Sequence, residues 1–485
     1  MSTLIVGSGI TGIAAALLLA QQGEKVILLE SAPFPAPLLR GFSREGLHFD
    51  TGFHCGGGLG QHGILRSWLQ CLGIWQHIDP ASLFPLCEEF RFGKEGSHAG
   101  LFPALLQAYP ASITKQFGEK ACSECMRLVA AMHKVLTYSP YTDASKQEEP
   151  HFAWGNTQSL HEKLAEFSLP ARLQQMIQAR CLLYGIPAEQ ASFHDYALVS
   201  GLYFHSSYGL HGGGKTLRAA CVKALQHMNV QVRCNAYVRH IYAQNNAVHA
   251  VELHSGERLM CERCIFTGHP RQLEHCLEKG VLRPAFYKHI AEMPETPSAF
   301  MLFGESTSTY LQQKALYLLP HDVQASVLNP LESAQPTIYV TGGDAVDGRC
   351  PIVAISPSTK RFAEPFAACP QEYRAWKEQE AQRMLALLSE RVPELGRLRL
   401  HDSASYHTMQ NWVAGSSGSL YGLAHTIHTI PLLPVTRLKN FFLAGQNILL
   451  PGVLGGIISA ALAVGFATGH DKALQEFRRW ANNVS

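Results

Sequence analysis

The chain opens on a short apolar run, Leu4-Ile5-Val6, which predicts a buried strand. Gly7-Ser8-Gly9-Ile10-Thr11-Gly12 follows, and an Ala/Leu-rich stretch to Gln22 predicts a helix that is apolar around most of its surface. Gly23 punctuates it, and Lys25-Val26-Ile27-Leu28-Leu29 predicts a second strand that ends at Glu30. Residues 61–200 read as mostly helical, broken at 139–150 by a polar, Pro-containing stretch that predicts a surface loop. The periodicity then shortens. A glycine turn at Gly212-Gly213-Gly214 opens a predicted helix over 216–227, and short alternating strands follow at 230–233, 238–242 and 247–253, with Ser255-Gly256 as a hairpin turn. Further strands are predicted at 299–303, 315–319 and 337–341, and an amphipathic helix over 372–392 is closed by Pro393. Residues 441–469 carry no charge, a length that could span a bilayer. Gly445-Gln446-Asn447 and Pro451-Gly452 interrupt that stretch, so it reads as a strand over 441–444, a loop and a buried helix over 457–466.

The first thirty residues therefore form strand, glycine turn, helix, strand and acid, the unit that holds a dinucleotide. A pyrophosphate needs backbone N–H groups and the positive end of a helix dipole. Gly7 permits the tight turn, Gly9 lets the backbone approach the phosphates, and Gly12 lets the helix pack on the strand. Glu30 lies 23 residues past Gly7, near the ~20-residue spacing at which an acid meets a ribose hydroxyl. An acid at this place argues against a 2′-phosphate.

Composition narrows the rest. The chain has 485 residues, 46% hydrophobic and 16% charged, enough for two domains or one elaborate one with a large core. Its net charge of +2, without long basic runs, excludes nucleic acid as an expected partner. Thirteen cysteines at irregular spacing fit a reducing, cytoplasmic setting, and the N-terminal strand is no secretion signal. The pairs Cys122/Cys125 and Cys261/Cys264 read as buried small hydrophobes rather than zinc ligands, and no metal is expected.

Together these pieces resemble the flavin-dependent phytoene desaturase superfamily, and within it the carotenoid isomerase and all-trans-retinol saturase branch. The resemblance rests on the N-terminal unit and on Gly46-Leu47-His48-Phe49-Asp50-Thr51-Gly52-Phe53-His54, similar to the family's G-x-x-F-D-x-G-x-H stretch. It rests also on Gly212-Gly213-Gly214 with Asn235-Ala236-Tyr237-Val238, and on Tyr421-Gly422-Leu423 with Phe442-Leu443-Ala444-Gly445-Gln446-Asn447 and Pro451-Gly452. It implies an α/β fold with a Rossmann-like FAD-binding domain assembled from 1–75, 205–280 and 425–485. A substrate-binding domain of mixed antiparallel sheet and helices would come from 76–204 and 281–424. It implies FAD contacts at Gly7, Gly9, Ile10, Thr11, Gly12, Glu30, Arg40, Val238, Gly445, Gln446 and Leu454.

Two departures stand out. Ala36-Pro37-Leu38 replaces the family's Gly-Gly-Arg, and Pro37 has no N–H to donate. Gln446 stands where many relatives carry Asp. The activity implied is FAD-dependent oxidoreduction at C=C bonds of an isoprenoid or polyene: desaturation, saturation or cis–trans isomerisation. His54, Tyr406 and Tyr421 are the catalytic candidates near the flavin, with His407 beside Tyr406, while Asp50 reads as an acceptor for loop N–H groups. The partner is then a hydrophobic small molecule. A peripheral membrane contact through Trp68, Trp75, Phe84 and Phe90 is a further expectation, and the electron partner is unreadable. Amine oxidation by a flavin enzyme, and a non-catalytic accessory or lipid-carrier role, are the competing readings.

Overall fold

The computed structural model describes residues 2–93, 99–146, 157–366, 368–413 and 417–482. Within the predicted surface loop, 147–150 lies outside the described residues, and 139–146 forms turns. A five-stranded parallel sheet runs in the order Gln231–Arg233, Val26–Leu29, Thr3–Val6, Arg263–Phe266, Phe441–Leu443. Ile5 stands between Leu28 and Ile265 in register. Alternate residues go to opposite faces, as a strand requires. Ile5, Leu28, Ile265 and Phe442 pack under the helices Ile10–Gln21, Gly213–His227 and Gly452–Thr468. Leu4, Leu29, Cys264, Phe266 and Phe441 pack on the other face against the three-stranded sheet Val238–Gln244, Ala247–Leu253, Arg258–Met260. Both faces are covered, which is why these strands read as continuous apolar runs.

The 441–469 stretch is resolved by the same packing. Its helix, Gly452–Thr468, starts five residues earlier than predicted because the Gly-rich first turn conceals helical periodicity. Leu454 to Gly465 are all buried inside the protein. Among the described residues no helix is long and apolar enough to cross a membrane.

The second body is a seven-stranded sheet, ordered Leu398–Ala404, Ser298–Ser306, Cys350–Ser358, Ile338–Gly342, Lys314–Leu319, Cys87–Phe92, Ala99–Phe102. It is antiparallel except where Lys314–Leu319 pairs with Cys87–Phe92. The helical reading of 61–200 is corrected here: strands at 83–85, 87–92 and 99–102 lie within it. Glu88, Glu89 and Arg91 disguised the central one, because they are buried in ion pairs instead of facing water. Cys350–Ser358 was hidden by Pro351 and Pro357, which sit near its two ends. The helices between 109 and 205 cover one face, and Pro370–Arg391 covers the other.

The expected membrane-facing aromatics are corrected as well. Trp68 and Phe90 are fully buried and Trp75 is nearly so. Trp68 stacks on Phe477 at 4.3 Å and donates Nε1–H to the Tyr141 carbonyl at 2.9 Å. Phe84 is half-buried against His211, 4.8 Å between centroids. All thirteen cysteines are free thiols, and Cys122, Cys125, Cys261 and Cys264 are buried.

Candidate cofactor and substrate cleft

Three turns meet at one edge of the parallel sheet. Gly7 N–H donates to Leu29 O at 2.8 Å, Thr267 N–H to Val6 O at 2.9 Å, and Ala444 N–H to Phe266 O at 3.0 Å. These bonds tie the N-terminal glycine turn to the ends of strands some 260 and 440 residues further along the chain. Gly7 has φ +99° and Gly445 φ +117°, backbone that favours glycine. A Cβ on Gly12 would overlap the Gly7 carbonyl. A Cβ on Gly456 would come within 2.9 Å of both Ile10 Cγ2 and Thr11 Oγ1. The starts of the helices Ile10–Gln21 and Gly452–Thr468 thus touch. Neither has a side-chain cap, so their first N–H groups are open to an anion. Space beside Gly9 is empty. Gly445 N–H is held by Ser459 Oγ at 2.8 Å. Gln446 is half-buried, and its carbonyl pairs with His425 Nε2 at 2.9 Å.

Glu30 is buried at the end of its strand. Its Oε2 accepts from Ser8 N–H at 2.9 Å and Ser8 Oγ–H at 2.7 Å. Its Oε1 accepts from Ala32 N–H at 2.8 Å and Ser31 Oγ–H at 3.1 Å. Ala36 N–H donates to Ser8 O at 3.1 Å, and Ala36 holds φ +51°, in the left-handed region. Ala236 N–H donates to Glu30 O at 2.7 Å, which brings the start of the Val238 strand to the same acid. Val238 itself is buried beneath.

Arg40 is exposed and stacks on Phe34, 4.1 Å from the ring centroid. Arg218, from the helix Gly213–His227, approaches the same ring at 5.6 Å and donates Nε–H to Pro35 O at 2.8 Å. Burial and the Arg40 charge pull the Arg218 pKa down. Two guanidinium groups therefore flank the loop that lacks Gly-Gly-Arg. Asp50 Oδ1 accepts Gly214 N–H at 2.8 Å, the expected acceptor of a loop N–H. That bond anchors the start of the helix that carries Arg218.

Beyond Leu454 a cleft opens, with empty space of about 1160 Å³ counted to its mouth. Leu454, Pro451 and Ile458 form one wall, and Leu198, Val199 and Leu202 another. His54, Cys55, Tyr203, Tyr317, Tyr339 and Tyr421 supply the polar groups. The ring of His54 lies 6.4 Å from that of Tyr339. Burial holds the His54 pKa below the usual histidine value, so it is neutral at pH 7. Tyr421 donates to Leu182 O at 3.0 Å. Its own N–H is held by Thr296 Oγ1 at 3.1 Å. Behind Tyr317 lies a buried pair: Arg180 Nε donates to Glu88 Oε2 at 2.9 Å, and Tyr317 Oη–H reaches Glu88 Oε1 at 3.3 Å.

His54, Tyr421 and Leu454 thus share one cleft, while Gly7, Gly9, Ile10, Thr11, Gly12, Gly445 and Gln446 share the adjoining turns. Tyr406 does not join them. It is buried in the core on the opposite face of the seven-stranded sheet, with Phe300 and Trp376, and its ring packs on His407. Its nearness to Tyr421 in sequence is not nearness in space. Ser8, Arg218, Tyr203, Tyr317 and Tyr339 were not anticipated. The two strand tyrosines carried a signal, because each sits at an alternating position of a predicted strand.

The NAD(P)-binding Rossmann-like domain family matches residues 5–72. The chain is 22% identical to the all-trans-retinol 13,14-reductase of Danio rerio, over 95% of this chain and 84% of that one. It is 24% identical to the hydroxyneurosporene desaturase of Rhodobacter capsulatus, over 91% and 92% of the two chains. A putrescine oxidase bound to putrescine superposes with a TM-score of 0.63 at 14% identity, over 98% of each chain, which is likeness of fold. These likenesses support the phytoene desaturase and retinol saturase-like family of flavin-dependent oxidoreductases for this chain.

Proposed function

We propose that this protein binds FAD and desaturates, saturates or cis–trans isomerises C=C bonds of a long apolar isoprenoid or polyene. One observation carries the reading: two uncapped helix starts and the glycine turns at Gly7 and Gly445 converge beside a largely aliphatic cleft. The flavin supplies hydride exchange with carbon when bound.

On this reading Gly9, Ile10, Thr11 and Gly12 offer N–H groups to the diphosphate, and Arg40 and Arg218 offer charge. Glu30 holds Ser8 and Ala32 in place. Its two hydroxyl donors, from Ser8 and Ser31, can rotate away to admit ribose hydroxyls. Val238, Gly445, Gln446 and Leu454 complete the cofactor contacts. Segments 1–75, 205–280 and 425–485 form the cofactor domain, and 76–204 and 281–424 the substrate domain. His54 is a neutral neighbour of the reacting centre, and Tyr421 a protonated one held by Leu182. The free thiols fit a reducing, cytoplasmic setting.

Amine oxidation is disfavoured by charge. The acid nearest the tyrosine wall, Glu88, is already committed to Arg180, so a buried ammonium would find no free carboxylate. The test is anaerobic mixing of oxidised and reduced FAD-loaded protein with polyenes, retinoids, isoprenoids and amines, reading the flavin band and product mass. A two-hydrogen mass change with a polyene is expected, or an isomer of equal mass. Flavin reduction by amines alone would overturn the proposal.

A further inference from the structure

The wall that carries Leu420 and Tyr421 is gripped from two sides. Its chain runs along residues 294–297 as a short ladder. Leu420 N–H donates to Pro297 O at 3.1 Å, Thr296 N–H to Gly422 O at 2.9 Å, and Ala424 N–H to Pro294 O at 2.8 Å. Leu423 N–H donates to Asn447 Oδ1 at 2.8 Å, in the turn after Gly445. On the other side stands Glu295, whose side chain is only 4% exposed. Its Oε2 accepts Ser417 N–H at 2.9 Å and also the Ser417 hydroxyl, three residues before Leu420. Its Oε1 accepts from Arg271 Nη1. The same guanidinium donates through Nη2 to Met293 O at 2.8 Å. Arg271 N–H rests on His269 Nδ1 at 3.3 Å, and His269 Nε2 lies 3.6 Å from Glu295 Oε1. His269 and Arg271 belong to the loop that follows Thr267, whose N–H is bonded to Val6 O beside the Gly7 turn. One buried carboxylate therefore joins the loop behind the cofactor turns to the segment that lines the cleft with Leu420 and Tyr421.

We propose that Glu295 is a positioning residue: it holds the Leu420–Tyr421 wall at a fixed place relative to the cofactor turns, and so sets how a bound chain lies against the flavin. This rests on the function proposed above and adds to it the residue that orients the substrate. Glu295 is not among the residues that line the cleft, so it acts through Ser417 and Arg271. Hydrogen bonds to an ionised carboxylate are roughly twice as strong as neutral ones, which makes this joint stiffer than the ladder beside it. The cleft offers a long apolar chain few polar groups to aim it, so the chain's depth and tilt follow the shape of the wall. Apolar contact tolerates a small shift of that wall with little change in affinity. The reaction does not, because a misplacement of about 1 Å can cost about 100-fold in rate.

The test uses FAD-loaded protein and the polyene that reacts in the anaerobic panel above, with its conversion at saturation followed by rapid quench. Glu295→Gln keeps the volume and removes the charge. Ser417→Ala removes the hydroxyl on the wall side and leaves the Arg271 pair in place. Glu295→Gln is expected to slow conversion about tenfold, and Ser417→Ala several-fold, with polyene affinity by tryptophan quenching and FAD affinity within about twofold of the unaltered protein. The product should become a mixture of double-bond positions or isomers, a change that lost stability alone does not produce. Because both substitutions cut one link, the double variant loses less than the product of the two single losses. Ser417→Ala should keep the urea midpoint of the unaltered protein, so its effect is read on a folded enzyme. Unchanged rate and product in Ser417→Ala overturn the proposal and leave Glu295 as a clamp on Arg271. Weaker polyene binding at unchanged saturated rate, or independent losses in the double variant, overturn it too. Conversion of no polyene by the unaltered protein removes this role together with the polyene reading.

Discussion

Arg40 and Arg218 lean on one phenyl ring, a placement that costs electrostatic energy unless an anion joins them. The loop they flank has lost two backbone opportunities: Pro37 has no N–H, and Ala36 spends its own on Ser8. Side-chain charge is the remaining means of holding a diphosphate there, and guanidinium suits phosphate oxygens. Arg218→Gln is therefore expected to weaken ADP binding about tenfold at low salt, leaving adenosine binding unchanged. The loss should shrink at high salt. Calorimetric titration of both ligands checks it; an equal loss for adenosine would place Arg218 away from the phosphates. None of this was legible for Arg218, because an arginine on a helix after a glycine turn reads as an ordinary solvated residue. The glycine turn was legible, because phosphate chemistry fixes both residue type and spacing. Tyr406 was misjudged for the converse reason. Its strand, Leu398–Ala404, leads into a helix on the far face of the sheet, and no local pattern reveals which face a chain will take.

Strands carry the second body, and one of them depends on a buried charge. Glu88 sits on Cys87–Phe92, and Arg180 opens the turn Arg180–Leu183; their side chains are 3% and 0% exposed. Removing one partner leaves a bare charge in an apolar core, a loss of about 3–5 kcal/mol. Replacing both with apolar residues of similar volume removes that penalty. Arg180→Met and Glu88→Met should each lower the urea midpoint sharply, and the double variant should recover most of the loss. A double variant as unstable as the sum of the singles would mean that the pair does more than neutralise itself. The same charges explain the limit of sequence reading here. Apolar runs announced strands at 299–303, 315–319 and 337–341, but Glu88, Glu89 and Arg91 broke the run in theirs. Burial had inverted the polar half of the pattern.

At the scale of the molecule, one sheet is built from chain segments hundreds of residues apart, so no single segment can complete the cofactor site. Strand Thr3–Val6 is paired on one side by Val26–Leu29 and on the other by Arg263–Phe266, which pairs in turn with Phe441–Leu443. The helix that follows the last strand presses Gly456 against Ile10 and Thr11. A ligand lodged among these turns stabilises all of them together, since anything that binds only the folded state adds stability through mass action, ~2.7 kcal/mol at a hundredfold excess over its dissociation constant. Hydrogen exchange with and without FAD should register this as slower exchange in three places at once: the peptides around 3–36, 231–268 and 441–460. The helix Pro370–Arg391, on the far side of the other sheet, should change least. Protection confined to the first segment would mean that the nucleotide sits on an ordinary N-terminal mononucleotide unit and that the Gly445 turn is only packing. Protection that instead spreads evenly over the chain would point to global stabilisation without a defined seat. Only the threefold pattern is consistent with a cofactor clasped by distant parts of one chain.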